Sequence, residues 1–229
     1  WSALDTQPFL GFLDGNQWWK ENFYPNIADG ENAWYGDGQG DWGAGAGLID
    51  FLGLCEKENV SCRDNRSEYH ATFELEGVKV HLIQVHYPDQ GSDPFPADSK
   101  QYLVDEIAGI ERTGNEVVIA GAHTGDWLKE LEPEDKVFVF ENTDLLLGAT
   151  THVYGRYSYP DTGALFLNTG STGYSLGDLN NYLQVNILAA PLRLVVLNHV
   201  ATQPPALSSG TSCHVKQVGG LVSACPWSD

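Results

Sequence analysis

Basic residues are scarce in this chain: 12 lysines and arginines stand against 31 aspartates and glutamates, a formal net charge of -19 and an isoelectric point near 4.5. A phosphate-backbone partner has to be neutralised by basic side chains, so the charge balance opposes nucleic acid and anionic membrane surfaces as partners. Long apolar runs are missing too. None approaches the roughly 20 residues a helix needs to cross a bilayer, so no membrane span is expected. The first thirty residues hold neither a basic n-region nor an apolar h-region, and a signal peptide, if one was made, is expected to have been removed. Cysteine is limited to four residues, with neither the two-residue spacing nor the nearby second pair of a zinc knuckle. What remains is 229 residues, 42% hydrophobic and 11% aromatic, which is enough for one good-sized core and unlike disordered or collagen-like chains.

The cysteines fall into two pairs close in sequence, Cys55 with Cys62 and Cys213 with Cys225. They read as two disulfides; the rival reading is four buried free thiols and chance sequons. The sequons are Asn59-Val60-Ser61 and Asn65-Arg66-Ser67, which make Asn59 and Asn65 the candidate glycosylation sites. Cysteine usage and sequons point independently to a secreted, extracellular or vacuolar glycoprotein.

Residues 1 to 47 are rich in Trp, Asp, Asn and Gly, keep no sustained period apart from a short apolar stretch Pro8 to Leu13, and are read as mostly loop. Gly38, Gly40 and Gly43 have a GxGxxG spacing, but no apolar strand precedes them and no Lys follows, so no dinucleotide or P-loop site is read there. Asp37 and Asp41 match no calcium-loop spacing and are read as a solvated turn. Trp1, Trp18, Trp19, Trp34 and Trp42 crowd this stretch. They are read as cover for a sheet, with a sugar-stacking platform as the rival.

From Tyr69 the texture changes. Tyr69 to Leu75 and Val78 to Val85 flank the turn Glu76-Gly77 and predict a hairpin. A helix is predicted from near Asp98 or Ser99, burying Leu103, Ile107 and Ile110 and stopping at Gly114. Glu116 to Ala122 reads as a strand covered on both faces, and Leu145–Leu147, Ala164–Leu167, Tyr182–Leu188 and Leu192–Leu197 as further strands. Thr202 to Ser212 is a Pro/Ser-rich linker before a miniature hairpin. With Cys213 opposite Cys225, Gln217 faces Leu221 across Val218-Gly219-Gly220. The expected organisation is a mixed α/β domain over 1–201 and a linker with a disulfide-closed hairpin over 202–229.

The chemistry concentrates between Val117 and Ser171, where apolar strands run into polar tips: VVIAGAH ending at His123, LLLGATTHVYGR through Thr150, His152, Tyr154 and Arg156, and ALFLNTGS. A strand ending in His sits where open α/β sheets collect ligands. In order and spacing these segments resemble the last motifs of the calcineurin-like metallophosphoesterases, and among them the purple acid phosphatase branch. Tyr24-Pro25 and Gly30-Glu31-Asn32-Ala33-Trp34-Tyr35-Gly36-Asp37 look like a worn GNHDWYGN element, so the resemblance covers about residues 22 to 200. It implies an αββα sandwich of mixed sheets. It also implies a site where two metal ions about 3.5 Å apart activate water and stabilise phosphate charge in an in-line displacement.

The departures from the pattern are as informative as the matches. His123, His152 and Asn32 stand at ligand positions, but Thr150 replaces the first His of GHxH, and a hydroxyl is a poor substitute for imidazole on zinc or iron. The His used for proton transfer in the GNH element is replaced by Asn32 or, one register along, by Ala33. The early Asp-x-His and Gly-Asp-x-x-Asp motifs have almost no room upstream; Asp14 alone could mimic a bridging carboxylate, and it reads better as a turn residue. Tyr154 and Arg156 are the candidate anion-binding pair, with a loop clamp as the plainer reading. His70, His81, His86 and His199 are read as packing or surface residues.

With the cysteines and sequons pointing to secretion, the resemblance implies a metallophosphoesterase-like protein with a degraded dimetal site that holds at most one divalent or trivalent ion (zinc, iron or manganese). Such a protein would be non-catalytic and act by binding or assembly with a protein partner or companion chain. One rival is a metal-dependent acid phosphatase, a phosphomonoesterase completed by ligands from another chain, with a small phosphate as ligand. The other is a carbohydrate-binding module that uses the N-terminal tryptophans to hold a glycan.

Overall fold

The computed structural model describes residues 15–25, 49, 52–63, 68–86, 96–149, 155–158, 165–168, 180–201, 210–217 and 222–224. The turn Glu76-Gly77 sets the first register. Both residues are left-handed, with φ of 51° and 80°, as the tight turn of a twisted hairpin requires. Strands β2 (Tyr69–Leu75) and β3 (Val78–Gln84) therefore pair antiparallel with Leu75 opposite Val78 and Tyr69 opposite Gln84, as the hairpin reading predicts.

β1 (Val60–Cys62) adds antiparallel to β2. On the other side β4 (Glu116–Thr124) lies parallel to β3, β5 (Leu145–Ala149) parallel to β4, and β7 (Leu165–Asn168) parallel to β5. β6 (Gly155–Ser158) closes the row antiparallel to β7, giving a seven-stranded mixed sheet in the order β1-β2-β3-β4-β5-β7-β6. β8 (Asn180–Ala189), β9 (Leu192–Ala201), β10 (Gly210–Gln217) and β11 (Val222–Ala224) form a second, antiparallel sheet in the order β11-β10-β9-β8.

Strand side chains alternate between faces, and each face of the first sheet has its own cover. Ile83, Val85, Val118, Ala120, Ala122, Leu146 and Phe166 pack against the helical layer. That layer is α2 (Ala97–Ala108), a 3-10 segment Gly125–Glu130 and α3 (Pro133–Asn142), which supply Leu103, Ile107, Trp127, Leu128, Val139 and Phe140. Val78, Val80, Val117, Ile119, Leu145, Leu165 and Leu167 point the other way, onto Leu194 and Val196 of β9. Near the β1–β2 edge, Phe23 and Tyr24 after the short helix α1 (Gln17–Asn22), with Ile49, Leu52 and Leu54, pack against Tyr69 and Ala71. The fold is the expected α/β sandwich, with the second sheet antiparallel rather than mixed, and three of its four expected layers are formed by described residues.

One local expectation is corrected and two helices are added to the reading. α2 ends at Ala108 rather than running to Gly114: Gly109 N–H closes on Asp105 O, the chain turns with Ile110 N–H on Ile107 O, and Gly114, at φ 105°, belongs to the next turn. α3 was hidden because Val137, Phe138, Val139 and Phe140 run together, which erases the helical period; only Val139 and Phe140 are buried, and Val137 is exposed. Within residues 1 to 47, read as mostly loop, the described stretch 15–25 holds α1, whose six residues are too few to display a period.

The C-terminal hairpin pairs His214 with Ala224 and Lys216 with Val222, the register that follows from placing Cys213 opposite Cys225; Cys225 itself lies outside the described residues. β10 also runs along β9, Gly210 opposite Val200 to Gln217 opposite Arg193, so the hairpin extends the second sheet.

Candidate functional site

Because β3, β4, β5 and β7 are parallel, their carboxyl ends collect at one edge of the sheet, where ligands of open α/β folds bind. His123 is the penultimate residue of β4, and Thr124 stands level with Ala149, the last residue of β5. The strands that lead to His123 and His152 are thus parallel neighbours ending at the same edge. Arg156 lies in β6 opposite Leu167 of β7. The side chains of His123 and Arg156, and the whole of Asn32, His152 and Tyr154, lie outside what is described.

The described side chains at this edge form an ion triad. Arg63 follows β1, Glu68 precedes β2, His86 lies two residues past β3, and Asp98 opens α2. One Arg63 nitrogen pairs with Glu68 Oε2, and the other donates to Asp98 Oδ2 at 2.6 Å. Glu68 Oε1 accepts the backbone N–H of His86 at 3.2 Å. The Glu68 side chain is wholly buried, whereas Asp98 is largely exposed. Partial burial opposes ionisation of Asp98, but the hydrogen bond and charge of Arg63 outweigh it and hold its carboxyl below the usual range. The guanidinium also lies over the ring of Tyr102, 5.7 Å from its centroid, and burial together with the carboxylates of Glu106 and Glu68 raises the Tyr102 phenol.

Both Glu68 oxygens accept from protein donors. Among the described residues no group of three or more His, Cys, Asp or Glu side chains could hold a metal.

The remaining sequence candidates are placed as follows. Cys55 and Cys62 form a disulfide with Cα atoms 5.5 Å apart. Asn59 is exposed and its Nδ2 donates to Thr72 O at 2.9 Å and to Tyr24 Oη at 3.4 Å; Asn65 lies outside the described residues. Trp18 is 62% exposed and so is not the core cover expected of it. His199 bonds Gln184 Oε1 at 3.0 Å on the second sheet.

A second polar cluster was missed. His70 Nδ1 lies 2.6 Å from Glu106 Oε2, and His70 Nε2 lies 2.9 Å from His81 Nδ1. A signal for it is present in the hairpin: a two-residue turn at 76–77 sets Thr72 opposite His81, which leaves His70 diagonal to His81 on the same face. Burial, then the neighbouring His70 and Lys79, lower the His81 imidazole to about 4.

No known protein family matches the chain, and no curated protein does. Among solved structures, Vps29 from Entamoeba histolytica, complexed with zinc, is similar at 11% identity over 63% of this chain and 59% of that one, with a TM-score of 0.30. Vps29 from Chaetomium thermophilum is similar at 9% identity over 65% and 60%, with a TM-score of 0.32. The same protein complexed with a cyclic peptide is similar at 12% over 64% and 97%, with a TM-score of 0.27. The chain spans about three-fifths of the length of the first two.

Proposed function

We propose that this chain is a metallophosphoesterase-like protein that acts by binding or assembly with a protein partner, not by hydrolysing phosphate esters, and that it works in an oxidising, secreted or vacuolar setting. The observation that carries the reading is the closed triad at the carboxyl edge: the buried carboxylate of Glu68 is bound to Arg63 and to the His86 N–H. The sequence supports it, since Thr150 stands where the resembled motif has an imidazole. His123, His152 and Asn32 would be the ligands left for a single ion, and Tyr154 and Arg156 the groups left for an anion. One guanidinium in a chain of charge -19 is weak recruitment for a phosphate dianion. The disulfide at Cys55–Cys62 supports the oxidising setting.

The test is an assay of a chromogenic phosphate ester at pH 5 and pH 7 with added zinc, iron or manganese, beside metal analysis of the purified chain. We expect no turnover above the metal blank and less than one equivalent of tightly held metal. Turnover of about 1 to 10³ per second that is abolished in a His123→Ala, His152→Ala double variant would overturn the reading.

A further inference from the structure

We propose that β8 is a dimer edge: two copies of this chain pair β8 antiparallel with β8 about a twofold axis, joining their four-stranded second sheets into one sheet of eight. The strands that end the two sheets are unequal. β1 and β11 have three residues each and β6 has four, whereas β8 has ten. Short edges resist the addition of a further strand, as do charged side chains, prolines and bulges. β8 (NNYLQVNILA) has no charged residue and no proline, and it pairs with β9 at all ten positions without a bulge. Among the described residues it has a neighbour on one side only, so alternate N–H and C=O groups point along the sheet, away from β9.

The side chains show the same open flank. Leu183, Val185 and Ile187 of β8 pack on the core beside Leu194 and Val196 of β9. The two β9 residues are wholly buried, but the three of β8 are only partly so. They share one layer and differ in their neighbours, since β9 runs between β8 and β10 and β8 has β9 alone. A strand added beside β8 covers that remaining surface with its own apolar row. On the opposite face Gln184 is exposed and donates from Nε2 to Asn186 Oδ1 at 3.0 Å, so that row presents uncharged amides.

The distribution of charge points to a second copy as the occupant. All but one of the 31 acidic residues precede Leu179, and the last is Asp229. The four strands of the second sheet therefore contain no carboxylate side chain, and Arg193 and Lys216 are their only lysine or arginine residues. Two chains of charge -19 repel each other as wholes, and along an edge without carboxylates they can meet with no like charges face to face. An antiparallel pair of identical strands is self-complementary, as a twofold contact requires. With Val185 on the axis, Leu183 stands opposite Ile187 of the second copy and Gln184 opposite its Asn186. Apolar then meets apolar in the inner row, and amide meets amide in the outer. The contact uses no residue of the carboxyl edge of the first sheet, so it stands whether or not the chain hydrolyses phosphate esters.

Analytical ultracentrifugation of the full chain over about a hundredfold dilution, at about 0.05 and 0.5 M sodium chloride, tests this. We expect a reversible monomer–dimer equilibrium, because one strand pair is smaller than a standard interface, and tighter association at the higher salt, which screens the repulsion between two acidic chains. Val185→Lys puts an unpaired charge into the inner row at the axis and should weaken dimerisation by about tenfold or more. Should that variant not fold, hydrogen exchange of the unmodified chain decides: on dilution one alternate set of β8 amides loses protection, and the set directed at β9 keeps it. A monomer at every concentration, a dimer equally tight in a folded Val185→Lys variant, or β8 amides indifferent to dilution overturns the pairing. Association that weakens with salt also overturns it, and would instead seat an acidic segment of one copy on the carboxylate-free sheet of the other.

Discussion

Arg63 and Glu68 close an ion pair across the end of the β1–β2 pair in which the guanidinium keeps 24% exposure and the carboxylate has none. Arg63 also reaches Asp98, so one side chain joins the edge of the sheet to the first turn of α2. Removing it would take the cation from a buried carboxylate that keeps the His86 N–H. We expect Arg63→Met to cost about 3–5 kcal/mol in urea unfolding. Arg63→Lys should cost less, because it keeps a charge near Glu68 but cannot fork between two carboxylates.

Asp144 continues the ladder between β4 and β5 by a side-chain route. Its Oδ2 accepts Val118 N–H at 2.9 Å, and Arg112 donates to both of its oxygens at 3.0 and 3.1 Å. The carboxylate is almost wholly buried. Asp144→Ala leaves the Val118 amide without that acceptor, and we expect a loss of about 2–3 kcal/mol; Asp144→Asn, which retains one acceptor, should lose less. Thermal unfolding followed by circular dichroism reads both.

The Cys55–Cys62 bridge closes a loop with a sequence separation of 7. Loop-closure entropy gives about 2.5 kcal/mol for a loop of this size, and a Cys55→Ser, Cys62→Ser variant should lose about that much. Non-reducing peptide mapping should find Cys213 joined to Cys225. A peptide linking Cys55 to either of them would contradict the structure.

Glu116 supplies the pH dependence of the turn after α2. Its carboxylate accepts from Thr113 N at 2.6 Å, Thr113 Oγ1 at 2.5 Å and Gly114 N at 2.8 Å. These bonds, the Thr113 hydroxyl first, hold its carboxyl below the ordinary value of 4.5. The unfolded chain therefore takes up this proton at higher pH than the folded one. Its contribution is complete above about 4.5 and is lost as pH falls through the lower folded value. In Glu116→Gln, stability below pH 4.5 should fall less steeply, by comparison of unfolding midpoints at pH 3 and pH 6.

Strand periodicity made most of the fold legible. The β2–β3 hairpin, the buried β4 and the β8–β9 pair stand where alternation and apolar runs place them, because each has one buried face or two. α3 was not legible, since four apolar residues in a row leave no period to read. The carboxyl edge was legible as a place but not in its contents. His123 announces itself as a strand-terminal imidazole, whereas the Arg63–Glu68–Asp98 triad joins residues that share no local pattern. Read singly, His70 and His81 are packing residues, and only the register of their hairpin makes them a pair.

The order of the strands along the chain also sets an order of exposure during synthesis. The inner face of the first sheet, with Val80, Ile119, Leu145 and Leu167, is complete by Asn168, but its cover from Leu194 and Val196 belongs to β9. A nascent chain therefore presents that apolar face, without its final lid, until the ribosome has released the β8–β9 hairpin. A chain cut short between β7 and β9 would carry the same surface permanently, as a prime target for chaperones and proteases.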